Sequence, residues 1–232
     1  MTEALAQALL QRARGLAGVD VTALGAASGE SQKETKGGVG QMVERALGLS
    51  PQFDDVDDPA SGVEVKTLPV AFRGDTVVVQ QGTFVTSAST DSLVGESWAT
   101  SRVRRKLARV LFVPIVEVED PAGAGLRRLV GTAFLWSPPV DVEAQLRADW
   151  EDLSDLVARG LGFAVTARRG VFLQLRPKAP DATYVRKARV VDDDDVVLRP
   201  QGFYLRRVVT SRALQEALDL DGSARISRGA GV

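Results

Sequence analysis

The chain has 232 residues, a net charge of −1 and an apolar content of 44%, which describes one large globular domain or two small ones. It contains no cysteine and no histidine, which excludes disulfides, thiolate nucleophiles, histidine-ligated zinc and serine–histidine triads. An enzyme of this composition must work with carboxylates, lysines and a hard metal ion. No apolar stretch is long enough to span a membrane, and the N-terminus is unlike a signal peptide, so we expect a cytoplasmic protein.

The first 90 residues predict two helices followed by two strands. Leu5, Leu9 and Leu16 give the first helix an apolar stripe, and the polar segment 27–38 indicates a loop. Strands follow over residues 61–70 and 75–86, the second interrupted at Gly82. Between the loop and these strands, residues 39–48 predict a helix that ends at Gly48 and has an apolar face of Val39, Met42, Val43, Ala46 and Leu47.

The middle of the chain predicts a short helix, two strands and a long helix. The short helix begins near Ser101 and gives way to a strand near Val110, and residues 129–138 form the next strand. The long helix covers residues 140–160 and ends at Gly160. Its apolar stripe consists of Val142, Leu146, Trp150, Leu153, Leu156 and Val157.

The C-terminal third predicts a strand in "VFLQLRPKA" that turns at Pro177, and a last helix with Thr210 or Ser211 as its N-cap. Residues 221–232 are expected to fray. The predicted order mixes helices and strands, with the strands clustered in the middle of the chain, which favours a mixed α/β fold.

The segment "SGVEVKTLPV" contains the first candidate for chemistry. Alternation along a strand places Val63 and Val65 on one face, and Glu64 and Lys66 on the other. Asp57 precedes Glu64 by seven residues. The two carboxylates and the main-chain carbonyl of Val65 would suit Mg²⁺, which takes oxygen ligands and keeps several waters. Lys66 would then orient or deprotonate an attacking water, or stabilise charge on a phosphate.

The same residues also have an ordinary structural interpretation. Glu64 and Lys66 would then form a solvated strand face, and Asp57 and Asp58 would be acids in a turn. The pattern of an acid followed by Glu-x-Lys is too common to decide between the two interpretations. It also leaves open which of the two aspartates would bind the metal.

Seven segments in order carry a wider resemblance. They are "KGGVGQMVERALG", "GVEVKTLPV", "WATSRVRRKLARVLFVPI", "FLWSP", "LRADWEDL", "FLQLRPKA" and "GFYLRRVVTSRAL". Together they resemble the MutH family of mismatch-repair endonucleases and its relatives among GATC-cutting restriction enzymes. The resemblance implies an α/β restriction-endonuclease-like core, with a mixed central sheet flanked by helices. It also implies one domain over residues 1–232, in which two subdomains would form a DNA cleft.

Site roles follow from the resemblance, position by position. It implies that Asp57 and Glu64 hold Mg²⁺, for which Mn²⁺ can substitute, and that Lys66 is the catalytic lysine. It places Glu44 near the metal site, although a solvated helix position is the ordinary interpretation of that residue. The remaining implied residues contact DNA at the scissile phosphate (Lys36 and Lys106), in the major groove (Arg176, Pro177 and Lys178), at the adenine whose methylation is sensed (Tyr204), and at other phosphates (Arg104 and Arg105).

The implied activity is Mg²⁺-dependent nicking of the unmethylated strand at a hemimethylated GATC site. The implied partners are double-stranded DNA, MutL and MutS, and the protein is expected to be a monomer. The first alternative is a type II restriction enzyme of the same fold that cuts both strands. The second is a DNA-binding module with an inactive metal site, against which the presence of all the acids and of Lys66 argues.

Overall fold

The computed structural model describes residues 2–27, 38–50, 56–74, 76–89, 93, 95–120, 123, 125–166, 168–178, 186–190, 193–198 and 200–220. Six α-helices, two short 3-10 helices (Trp98–Thr100 and Leu161–Ala164) and ten strands lie in these ranges. The helices are α1 (Thr2–Arg14), α2 (Val21–Ala27), α3 (Gly38–Ala46), α4 (Arg102–Ala108), α5 (Val140–Ala158) and α6 (Arg207–Leu220). The strands are β1 (Glu64–Arg73), β2 (Thr76–Val79), β3 (Thr83–Ala88), β4 (Val110–Glu119), β5 (Leu126–Val130), β6 (Phe134–Trp136), β7 (Leu173–Pro177), β8 (Arg186–Val190), β9 (Asp193–Leu198) and β10 (Gln201–Leu205).

A five-stranded mixed sheet forms the centre of the molecule. Strands β1 and β4 pair in parallel, with Glu64 opposite Val110 and Val70 opposite Val116. Strand β2 pairs antiparallel with β1, whereas β5 and β6 pair antiparallel with successive parts of β4. The mixed sheet flanked by helices confirms the predicted fold class.

The two faces of this sheet bury two separate hydrophobic clusters. Leu111 and Val113 of β4 lie in one cluster and Val110 and Phe112 in the other, because successive side chains of a strand point to opposite faces. Helices α1, α2 and α3 supply the first cluster. Helices α4, α5 and α6 supply the second, together with the smaller sheet. The start of β1 is therefore enclosed from both sides.

The smaller sheet has three antiparallel strands in the order β3-β10-β7. It follows the central sheet closely in sequence, because only residues 80–82 separate β2 from β3. The predicted interruption at Gly82 is thus confirmed, but the two halves are strands of different sheets. A Cβ on Gly82 would lie 2.9 Å from the carbonyl oxygen of Leu205, so a side chain there would collide with the end of β10.

Several predicted boundaries and faces need correction. The strand predicted over residues 129–138 is two strands, β5 and β6, that both pair with β4. Helix α6 begins at Arg207, so Thr210 lies inside its first turn and donates its hydroxyl to the Arg207 carbonyl. Leu5 is 41% exposed. The buried face of α1 consists of Ala6, Leu9, Leu10 and Ala13.

The sequence does not predict helix α2, the β8-β9 hairpin or strand β10, and two predicted segments lie wholly or mostly outside the described residues. Ala46, predicted on the apolar face of α3, is exposed. Most of the loop 27–38 and the whole tail 221–232 lie outside the described residues. Within the described part of the chain, no helix is long and apolar enough to cross a membrane.

Candidate active site

Glu64 is the centre of the candidate active site. It begins β1, where its backbone N–H donates to the Arg109 carbonyl at 3.0 Å, and its side chain has 0% exposure. The ammonium group of Lys106 in α4 lies 3.0 and 2.9 Å from the two carboxylate oxygens, and Lys66 also donates to Oε1. Parallel pairing makes this contact possible, because it places the start of β1 beside the end of α4. The solvated-face interpretation of Glu64 is therefore wrong.

Asp57 lies against the same carboxylate through a compact turn. Its backbone N–H donates to Glu64 Oε2 at 3.2 Å, and its own carboxylate accepts the Val65 N–H at 2.8 Å. Asp58 forms the turn itself, where its carboxylate accepts the Ser61 hydroxyl at 2.6 Å. The geometry thus separates the two aspartates: Asp57 is 7% exposed beside Glu64, whereas Asp58 closes the turn.

Glu44 joins the cluster from helix α3. Its pKa is raised to about 7, chiefly by burial and also by the charges of Asp57 and Glu64, which outweigh the opposing effect of Lys66 and Lys106. Burial and the Glu64 charge likewise raise the pKa of Asp57. Glu44 is half-buried beside the other acids, which contradicts a fully solvated helix position. Three acids with only two lysines leave excess negative charge in one partly buried place.

The donor set fits a hard divalent cation. Asp57, Glu64 and the Val65 carbonyl offer oxygen ligands only, which is the chemistry that Mg²⁺ prefers. Among the described residues no three acidic side chains are arranged to hold a metal alone. An ion here would therefore complete its coordination with water or with the substrate. Burial, and after it the neighbouring carboxylates, raise the pKa of Glu44 and of Asp57, and a cation at this place would offset the charge of these acids.

A second group of predicted residues lies on the smaller sheet. The Arg176 guanidinium is 5.5 Å from the centroid of the Tyr204 ring, and Lys178 donates to the Ser87 hydroxyl at 3.0 Å. Burial raises the pKa of Tyr204, so its hydroxyl stays protonated at neutral pH. These side chains form a cationic and aromatic surface separate from the Glu64 cluster.

Comparison with known proteins identifies the family. Residues 50–149 match the family model described as DNA mismatch repair enzyme MutH. The chain is 40% identical over 213 residues to the DNA mismatch repair protein MutH of Pectobacterium atrosepticum, with 90% of each chain covered. It is 40% identical over 211 residues to that of Escherichia coli, covering 89% of this chain and 90% of the relative.

The chain belongs to the MutH family. Among solved structures, a complex of the restriction endonuclease MvaI with its cognate DNA substrate matches with a TM-score of 0.40 and 9% identity, over 87% of this chain and 92% of that one. Those values are too low to add to the family assignment, which rests on the relatives that match nearly the whole chain.

In this MutH-family chain, the structure brings together only some of the predicted residues. Glu44, Asp57, Glu64, Lys66 and Lys106 form one cluster, with the main chain of Val65 beside Asp57.

The other predicted DNA contacts have no described hydrogen bond to that cluster. Arg104 pairs with Glu143 of α5 at 3.0 Å, and Arg105 donates to the Thr100 carbonyl. Pro177 is exposed at the end of β7. Lys36 lies outside the described residues.

Phe84 belongs to the second surface, although the sequence reasoning missed it. Its ring packs edge to face against Tyr204, with centroids 5.3 Å apart, and the Lys178 ammonium lies 4.6 Å from its centroid. Gly202 makes room for this ring, because a Cβ there would lie 2.7 Å from it. The sequence does contain an indication of this position. Phe84 is next to Val85 on a strand, and because Val85 is buried, Phe84 lies on the face opposite the core.

Proposed function

We propose that this protein is a Mg²⁺-dependent endonuclease that recognises GATC and nicks the unmethylated strand of hemimethylated DNA. The observation that carries the proposal is the buried Glu64 carboxylate with Asp57, Lys66 and Lys106 around it, in a chain of the MutH family. A buried acid surrounded by lysines and further acids at a strand end suits phosphodiester hydrolysis without histidine.

Asp57 and Glu64 would hold the Mg²⁺ ion together with the Val65 carbonyl. The ion, when bound, supplies a Lewis acid for the phosphate and activates water, with Mn²⁺ able to replace it. Glu64 has to exchange a lysine partner for the ion, because both of its oxygens accept hydrogen bonds from ammonium groups. Side-chain partners of this kind can move aside, whereas main-chain groups cannot.

The two lysines differ in exposure, which suggests different roles. The side chain of Lys66 is 19% exposed and that of Lys106 only 6%. We assign to Lys66 Nζ the orientation of the attacking water and the stabilisation of charge on the phosphate. We assign to Lys106 and Glu44 an influence on the net charge beside Asp57 and Glu64. Water forms the new P–O bond in line as the bond to the 3′ oxygen breaks, which leaves a 5′ phosphate.

The second surface is our candidate for reading the DNA sequence. Arg176 and Lys178 extend from the end of β7 and carry donors that suit guanine and adenine acceptors in the major groove. Tyr204 would lie near the adenine that carries or lacks the methyl group. The proposed contacts to phosphates come from Lys36, Arg104, Arg105 and Lys106.

Family membership also supports a place for the protein in mismatch repair. We propose that it works on double-stranded DNA in the cytoplasm, as a monomer, with MutL and MutS as partners.

The proposal is tested by incubating GATC duplexes in all four methylation states with the purified protein and Mg²⁺. We expect nicks in unmethylated strands, faster at hemimethylated and unmethylated sites than at fully methylated ones. Lys66→Ala should remove the nicking while leaving DNA binding intact, and Lys187→Ala serves as the matched lysine control.

Three results would count against the proposal. No cleavage of any duplex, or cleavage that persists in Lys66→Ala, would contradict the nuclease mechanism. Direct conversion of unmethylated plasmid to the linear form at low enzyme concentration would instead favour a restriction enzyme that cuts both strands.

A further inference from the structure

Asp149 is a buried acid outside the candidate active site. It lies on the apolar stripe of α5 and is 5% exposed. Its carboxylate accepts three successive backbone N–H groups: Val171 at 3.0 Å, Phe172 at 2.6 Å and Leu173 at 2.8 Å. The Gln145 side chain donates a further hydrogen bond at 2.9 Å. Burying an unpaired charge is costly, so this arrangement compensates Asp149 through N–H dipoles.

The backbone around the carboxylate is shaped for this contact. Gly170 has a φ of +81°, and a Cβ there would lie 1.9 Å from the Leu173 carbonyl oxygen. The chain therefore turns sharply at a position that only glycine tolerates. The turn directs the next three N–H groups towards one point, and such a concave set of N–H groups binds an anion. Here the bound anion is the chain's own carboxylate.

The hydrogen bonds to Asp149 fix the position of the start of β7 against helix α5. Leu173, the last of the three donors, is also the first residue of β7. Three residues further along, Arg176 pairs with Gly202 of β10, while Tyr204 of β10 pairs with Gln174. The position of Arg176 over the Tyr204 ring therefore depends on where β7 starts. A one-residue slip would move Arg176 to the other face of the sheet.

The same turn is joined to the end of β10. The Arg206 backbone N–H donates to the Phe172 carbonyl at 2.7 Å, and its guanidinium donates to the Arg169 carbonyl at 3.0 Å. The two strands that carry Arg176 and Tyr204 thus meet at the turn that Asp149 holds. Helix α5 provides the rigid support for both.

We propose that Asp149 is a positioning residue for DNA sequence recognition. Its carboxylate sets the start of β7 against α5 and thereby holds Arg176 and Lys178 in register with Tyr204. The inference rests on the proposed function, because it assumes that these side chains read the GATC site. Asp149 itself touches no DNA.

The test measures sequence discrimination rather than activity alone. Discrimination is the ratio of kcat/KM for nicking a GATC duplex to that for the same duplex with one base pair changed. The variants are Asp149→Asn, which keeps the shape but loses the charge, and Asp152→Asn as the matched control. Asp152 lies on the same helix and pairs with Arg169 of the same turn, but this pair is exposed at 44% and 49%.

We expect Asp149→Asn to lower discrimination roughly tenfold, the order of one misplaced base contact, at a temperature where circular dichroism shows it folded. Asp152→Asn should keep the wild-type ratio. Loss of stability alone would lower the amount of active protein and leave the ratio unchanged. Unchanged discrimination in folded Asp149→Asn overturns the inference and leaves the proposed function intact.

Two further outcomes are decisive. A wild-type protein that does not discriminate GATC overturns the proposed function, and this inference with it. If Asp149→Asn does not fold, the same ratio is measured for Gln145→Met, which removes one hydrogen-bond donor to the Asp149 carboxylate. A drop of roughly twofold in the ratio supports the inference, and an unchanged ratio overturns it.

Discussion

Glu64 and Asp149 are both buried acids, but different kinds of group compensate their charge. Two lysine side chains and the Asp57 N–H surround Glu64, whereas three consecutive main-chain N–H groups bind Asp149. A lysine can rotate away when another cation arrives, but a backbone turn cannot move without unfolding locally. The partners of a buried acid, more than its burial, therefore indicate whether it can exchange ligands or only hold the chain in place.

Replacing Glu64 should have the strongest consequence for activity. Glu64→Gln should lower the nicking rate roughly a thousandfold, because the site loses a charged ligand. DNA binding, measured by fluorescence anisotropy, should persist. The control is Glu119→Gln, an exposed acid on β4, which should nick normally. Near-normal nicking by Glu64→Gln would show that Glu64 is not part of the chemistry.

Replacing Asp149 should have its main effect on the stability of the fold. Asp149→Ala should lower the free energy of unfolding by about 3 kcal/mol, because it leaves three backbone N–H groups without their acceptor. Asp152→Ala, which removes an exposed partner of Arg169, should change it little. Urea denaturation of both variants measures the difference. Equal changes in the two variants would mean that the hydrogen bonds of Asp149 contribute no more to the free energy of unfolding than the exposed ion pair of Asp152 does.

A divalent ion should distinguish the two acids directly. At about ten times its dissociation constant, Mg²⁺ should raise the free energy of unfolding by about 1.4 kcal/mol, seen as a higher Tm. Glu64→Gln should lose this response, and Asp149→Asn should retain it because its site offers no exchangeable partner. A response that survives in Glu64→Gln would place the ion elsewhere.

The smallest effect concerns the pH dependence of the metal-free protein. A carboxyl group with a pKa raised to about 7 in the folded state binds its proton more tightly there than in the unfolded chain. Its contribution to stability is therefore present at low pH and is lost as the pH rises from about 4.5 to about 7. Glu44→Gln should remove this loss and be more stable than the wild type at pH 8.

The measurement is urea denaturation in EDTA at several pH values, with Glu143→Gln as a helical control. The advantage of Glu44→Gln should shrink as the pH falls towards 4.5 and reach its minimum below that pH, where the wild-type group is protonated in both states. An advantage that does not change with pH would mean that the charge of Glu44 is not its cause.

The membership of the Glu64 cluster could be predicted from the sequence better than the contacts within it. Alternation alone placed Glu64 and Lys66 on one face of a strand, and the family pattern added Lys106. Alternation could not show that Glu64 is buried, because a solvated strand face has the same pattern. The contact with Lys106 joins residues 42 positions apart and depends on the parallel pairing of β1 with β4.

Asp149 shows a signal that was present but went unused. It lies on the apolar stripe of α5 between Leu146 and Trp150, and an acid in such a place needs a partner. Its partners are backbone groups 22 to 24 residues away, so no residue type in the sequence identifies them. The N-terminal boundary of α6 was misplaced for a simpler reason, because Thr210 is a good capping residue that here lies inside the helix.

The short connection between β2 and β3 links the two parts of the molecule mechanically. Three residues span at most about 10 Å, and Gly82 among them already touches the end of β10. The two sheets can therefore move very little relative to each other at this connection. If Tyr204 reads a base as proposed, a wrong base that displaced Tyr204 would also displace β2, the strand beside the one that carries Glu64 and Lys66.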